Sequence, residues 1–182
     1  MCNVPCIGDR FHTGDLGCMT ADGWVKITGR IKEQYKLENG KYVCPTPIEE
    51  AISMSRFVLQ CVLFGANRPY NVCLIVPDWN SICSELNINE ELEEDELVSN
   101  QDVKALIDIE IEKNCSKIKK FEVPKDWAFV SPFTAANNML TPKMSIRRHI
   151  VVREHADAID NMYSSTVVHS ACDGKIEEVY VA

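Results

Sequence analysis

Apolar positions recur along this chain on two different periods. From residue 101 to 121, Val103, Ile107, Ile111, Cys115 and Ile118 fall three and four apart, which predicts an amphipathic helix over that stretch. The runs "FVLQCVLFG" and "NVCLIVPD" are instead nearly continuous in apolar residues and only of strand length. That pattern predicts two interior strands covered on both faces, joined through "ANRPYN".

Shorter β-prone runs precede them. "DLGCMTADGWVKITGR" breaks at Ala21-Asp22-Gly23 and "EQYKLENGKYVC" at Asn39-Gly40, so two successive hairpins are expected, the second with both turn residues at positive φ. Thr46 then serves as N-cap for a helix over about 47–55, with Pro47 in its first turn and Glu49 and Glu50 at its positive end. A short helix over about 80–86 and a final strand in "WAFVSP" follow. Ser145 is expected to cap a last helix running to about Tyr163. The order of elements predicts an α+β fold, a small mixed sheet with β-hairpins and packed helices. The six acids in "EELEEDE" (90–96) read as a solvated face.

Composition narrows the functional classes. At 182 residues, 46% hydrophobic and 25% charged, the chain has the balance of a folded globular protein. Its formal net charge of -8 argues against a general nucleic-acid or anionic-membrane binder, both of which need a basic footprint. No apolar run is long enough for a transmembrane segment and no secretory signal pattern opens the chain, so the expected setting is intracellular, cytoplasmic or peripherally membrane-associated. The nine cysteines are odd in number and scattered in spacing. Several lie in the apolar runs, so they are expected to be reduced, structural thiols, with no metal site.

Three segments carry candidate chemistry. In "FHTGDLG", Asp15 follows a Thr-Gly turn, and a carboxylate there suits a pair of sugar hydroxyls. In "GRIKEQYKLENGKYVCPTPIEE", basic residues surround a tight turn and a Pro-bounded helix start; in "MLTPKMSIRR", Lys143 sits in a polar loop. Together these resemble the adenylate-forming enzymes: acyl-CoA synthetases, luciferases and peptide-synthetase adenylation domains. Lys36, Gly40, Val43, Pro45, Ile48 and Glu49 match the hairpin pattern of that superfamily, and the Asn-Gly-Lys-Tyr-Val form is most similar to long-chain acyl-CoA synthetases.

The resemblance implies a fold, that of the C-terminal domain of adenylate-forming enzymes, and a two-step ligation of a fatty acid to coenzyme A with ATP and Mg2+. It implies roles as well: Lys143 in adenylation, Asp15 and Arg30 at the nucleotide, Lys32 as hinge, and Lys36 and Gly40 on the face that serves thioester formation. Many long-chain members carry the adenylation lysine two places later, where this chain has Ser145; Lys143 is the lysine that this loop offers. Arg147, Arg148 and His149 read as an exposed basic helix start, with a coenzyme A phosphate as the other possibility.

The expected organisation is an atypical segment over 1–10, the end of an N-terminal adenylation domain over 11–31, a mobile C-terminal domain over 32–163 and a tail over 164–182. The phosphate-binding loop and acyl pocket of such enzymes are not in this sequence, so a truncated gene model lacking the N-terminal domain is expected ahead of a fragment or a diverged product, and the chain alone is expected to be a poor or inactive catalyst. The other reading is a stand-alone binding or regulatory module derived from such an enzyme.

Overall fold

In the computed structural model the described residues are 6–7, 10–88 and 92–169, with side chains over 12–88 and 92–164. A short antiparallel pair, β1 (Cys6–Ile7) and β2 (Arg10–Phe11), leads into the hairpin of β3 (Asp15–Met19) and β4 (Val25–Arg30). A single 3-10 turn, Ile31–Glu33, separates it from the hairpin of β5 (Tyr35–Lys36) and β6 (Tyr42–Val43). Helix α1 (Pro45–Ile52) precedes β7 (Val58–Phe64) and β8 (Val72–Pro77). Then come α2 (Trp79–Leu86), α3 (Glu94–Ser99), α4 (Gln101–Asn114), β9 (Asp126–Phe129), α5 (Arg148–Glu154) and α6 (Ala156–His169).

The central sheet has the order β7-β8-β9, antiparallel between the first two strands and parallel between the last two. Both faces are covered. On one side Cys61, Leu63, Cys73 and Ile75 meet Ile48, Ile52, Ile82, Val103, Ile107 and Ile111 from α1, α2 and α4. On the other, Val62, Val72, Leu74 and Val76 meet Phe133, Leu140, Val151, Ile159 and Met162. This explains the unbroken apolar run of β8: every one of its residues is buried. Each large side chain so buried contributes on the order of 1.5–3 kcal/mol.

Both hairpins form, with one difference from expectation. Gly40 takes φ +85°, but Asn39 is not at positive φ. The amide of Gly40 donates to Leu37 O and that of Leu37 to Lys41 O, so the loop is three residues long and only its last position needs glycine. The first hairpin repeats this geometry, with Gly23 at φ +83° and its amide bonded to Thr20 O.

Helix boundaries shift in instructive ways. α1 starts at Pro45, so Thr46 is inside the helix; Cys44 occupies the N-cap without a side-chain cap and its thiol donates to Thr28 O at 3.1 Å. α4 stops at Asn114 rather than near 121, yet Cys115 is buried and Ile118 and Phe121 still pack on the same core through turns. The apolar spacing persists after the helix has ended. β9 begins at Asp126 and ends before Ser131. Glu94, Asp95 and Glu96 form the first turn of α3, where the helix dipole favours acids, whereas Glu90 and Glu91 lie outside the described residues. The last helix is two: Ser145 belongs to a turn, α5 starts at Arg148, and the chain bends at His155 before α6, which continues to His169. Most of the segment 1–10 and residues 170–182 also lie outside the described residues.

At that bend, the Nε2 atom of His155 is buried without a hydrogen-bond partner, and its ring lies 6.2 Å from that of Phe133. Burial lowers its pKa against a smaller opposing pull from Glu154. The unfolded chain therefore takes up the proton first as pH falls, so stability declines from about pH 6.5 downward toward the depressed folded value. Urea midpoints measured between pH 7.5 and 5.5 should show this decline, and His155→Gln should flatten it.

Among the described residues the free cysteines are Cys18, Cys44, Cys61, Cys73, Cys83 and Cys115, the last four buried. Burial pushes the Cys115 thiol up to about 11, which keeps it protonated and inert in the core. No described helix is long and apolar enough to cross a membrane.

Candidate functional site

Asp15 and Arg30 face each other across the first hairpin as register partners, and Arg30 Nη1 lies 2.5 Å from Asp15 Oδ1. The same guanidinium donates to Thr13 O at 3.4 Å, and Thr13 Oγ1 accepts from the Asp15 amide at 3.2 Å. Gly14 at φ +78° makes the reversal that allows this. Asp15 is thus one half of an ion pair, its side chain a quarter exposed, and not a carboxylate on an open turn. The pair borders a cavity of about 560 Å³ whose other walls include Lys26, Gly29, Glu33, Thr46 and Glu50.

Lys32 lies in the 3-10 turn just beyond Arg30 and is exposed. It lines a second cavity of about 590 Å³ together with Tyr35, Phe64, Thr141, Ile146 and His149. Lys36 and Gly40 share the second hairpin, where a side chain at Gly40 would start 3.7 Å from Lys36 Cε, in ordinary contact. This hairpin is fastened to the β7–β8 connection by two backbone bonds, Asn67 N to Lys36 O and Glu38 N to Arg68 O. Below it, fully buried Asn71 accepts from the Tyr35 hydroxyl at 2.7 Å and donates to Glu122 O at 2.8 Å.

Lys143 stands exposed at the tip of a turn closed by a β-bridge between Leu140 and Ile146. Thr141 N bonds to Ser145 O and Met144, at φ +61°, bonds back to Thr141 O. Thr141 and Ile146, near the two ends of this turn, line the same cavity as Lys32. The structure therefore groups Lys32 with the base of the lysine turn, pairs Asp15 with Arg30, and keeps Lys36 with Gly40 on a separate hairpin.

Arg148 is not part of an exposed basic helix start. Its two Nη atoms bond to Glu49 Oε1 and Oε2 at 2.6 and 2.8 Å, and the side chains are 24% and 13% exposed. Burial alone would lower the Arg148 pKa, but the Glu49 carboxylate more than offsets it and the pKa is raised. In sequence Glu49 reads as a helix-start acid. The available signal was its place beside Ile48 and Ile52, both buried, at the edge of the helix face that meets the core.

Residues 32–167 match the AMP-binding enzyme C-terminal domain. The chain belongs to that family. This AMP-binding enzyme C-terminal domain is 35% identical over 161 residues to fatty acyl-CoA synthetase B of Dictyostelium discoideum, a match covering 85% of this chain and 24% of that protein. It is 34% identical over 161 residues to long-chain-fatty-acid-CoA ligase 5 of Mus musculus, covering 85% of this chain and 23% of the relative. The chain therefore spans about a quarter of the length of these curated relatives. Among solved structures, the adenylation and carrier-protein didomain of a carboxylic acid reductase from Segniliparus rugosus, in complex with AMP, superimposes with a TM-score of 0.70 at 22% identity, over 88% of this chain and 21% of the other. The adenylation domain of a carboxylate reductase from Mycobacterium chelonae gives 0.68 at 20% identity, over 85% and 23%. These likenesses establish the fold, and the small mixed sheet with packed helices is that of the C-terminal domain of adenylate-forming enzymes.

Proposed function

We propose that this chain is the C-terminal segment of a long-chain fatty acid-CoA ligase and that its residues act once it is joined to an N-terminal adenylating domain. The observation that carries this reading is the match of 85% of the chain to relatives named as fatty acyl-CoA synthetases and ligases. In the first step a fatty carboxylate oxygen attacks the α-phosphorus of ATP, forming an acyl adenylate and releasing pyrophosphate. In the second the sulfur of coenzyme A attacks the acyl carbon, forming a thioester and releasing AMP.

Negative charge gathers on the α-phosphate in the first step, and the Lys143 ammonium offsets it. Its exposed turn is suited to reaching into a partner domain. Arg30 engages Asp15 Oδ1, which holds the carboxylate so that Oδ2 can accept from a ribose hydroxyl. Magnesium would accompany the phosphates of ATP, offsetting their charge beside Lys143.

Residues 32–163 move as the mobile domain. Rotation at Lys32 exchanges the Lys143 turn for the β5–β6 hairpin, where Gly40, lacking a side chain, lets the backbone approach the pantetheine arm of coenzyme A. The test is to join this chain to the N-terminal adenylating domain of a long-chain ligase and measure thioester from fatty acid, ATP, magnesium and coenzyme A. Thioester formed only with the chain attached supports the reading. Equal activity without it would favour a non-catalytic binding or regulatory module.

A further inference from the structure

β7 is an edge strand of the central sheet, so the outward N–H and C=O groups of Leu63 have no neighbouring strand. They are satisfied by side chains. Glu49 Oε1 accepts from Leu63 N at 2.6 Å, and Arg148 Nη1 donates to Leu63 O at 3.1 Å. With the two bonds between guanidinium and carboxylate, this closes a ring that joins α1, β7 and α5.

The position of this ring matters more than its strength. A buried ion pair gives little net stability, because desolvation offsets the attraction, but the two-pronged arginine-carboxylate geometry fixes orientation. Arg148 is the first residue of α5 and directly follows Arg147, whose amide bonds to Met139 O at 2.7 Å beside the Leu140–Ile146 bridge. The turn carrying Lys143 thus leaves into α5 through the residue that Glu49 holds. On the other side, α1 begins two residues after Val43, the end of the hairpin that carries Gly40.

We propose that Glu49 and Arg148 are positioning residues that fix the Lys143 turn against α1 and the β5–β6 hairpin, setting the spatial relation between the two working faces. The effect on rate rests on the adenylating role given to Lys143 above; the effect on the turn does not.

Amide hydrogen exchange on the 182-residue chain separates the two. Glu49→Gln keeps an acceptor for Leu63 N–H and removes the charge. The amides of Thr141 and Arg147 should then exchange about tenfold faster or more, while those of Ile107 and Ile111 in α4 keep their rates. Arg148→Lys should act in the same direction, since an ammonium cannot make both bonds. Unchanged exchange at 141 and 147, or equal acceleration in α4, would overturn the proposal, the latter by showing only a general stabiliser. In the chain joined to an N-terminal domain, Glu49→Gln should lower kcat for adenylate formation with KM for the fatty acid unchanged. If Lys143→Ala has no effect there, the catalytic reading of Lys143 fails, and the exchange result alone decides on Glu49.

Discussion

Asn71→Ala should lower the stability of the chain by about 3 kcal/mol in urea unfolding. The side chain is wholly buried and ties its own strand entrance to two other segments, β5 and the turn at 121–122. Its carbonyl oxygen accepts from the Tyr35 hydroxyl at 2.7 Å, and its amide nitrogen donates to Phe121 O at 3.3 Å and Glu122 O at 2.8 Å. Truncation leaves one hydroxyl and two carbonyls without partners, each costing roughly 1–3 kcal/mol where water cannot replace the bond. The two carbonyls lie in turns that water can reach by a small movement, so the lower part of the summed range is expected. Burial drives the Tyr35 pKa far above the usual phenol value, so its hydroxyl stays protonated and loses its acceptor when Asn71 is truncated. Asn39→Ala in the exposed hairpin turn, which loses one bond to the Lys41 amide, should change stability by about 0.5 kcal/mol or less. Equal losses for the two variants would show that Asn71 does not bind these elements together.

Lys143→Ala should lower acyl-adenylate formation by about 10²–10³-fold in the chain joined to an N-terminal adenylating domain. That range is what removal of one preorganised donor to developing charge costs in other enzymes. Stability should barely change, because the side chain is exposed and the turn is closed by backbone bonds and Thr141 rather than by the lysine. Pyrophosphate release reports the first step, and the urea midpoint of the isolated chain checks the second expectation. A loss of rate accompanied by a fallen midpoint would assign the effect to misfolding.

The features legible in the sequence were those fixed by near neighbours. Gly23 and Gly40 marked the two hairpins because each must end a three-residue loop at positive φ. The apolar run of β8 announced a strand buried on both faces. The end of α4 was missed because Cys115 and Ile118 keep facing the core after the helix has stopped, so spacing alone could not place the boundary. Arg148 was misread for a different reason: its partner Glu49 is 99 residues away, and a charged doublet at a helix start gives no sign of a distant carboxylate. Asn71 was invisible in the same way, a single polar residue ahead of an apolar strand with partners 36 to 51 residues off. The candidate roles of Arg30, Lys32, Lys36, Gly40 and Lys143 come through resemblance, and only that of Asp15 has a local sign as well, in its Thr-Gly turn. What the structure adds is their grouping: an ion pair, a turn with Lys32 near its base, and a separate hairpin.

The most direct test of the central claim compares Lys143→Ala with Gly40→Leu in the joined polypeptide, each assayed for pyrophosphate release and for thioester formation from supplied acyl adenylate. If the two faces serve successive steps, Lys143→Ala loses the first and retains the second. Gly40→Leu, which puts a bulky side chain at φ +85° on the hairpin, retains the first and slows the second by about tenfold or more. If both variants impair both steps alike, or neither impairs either, the two-face account of this chain is wrong.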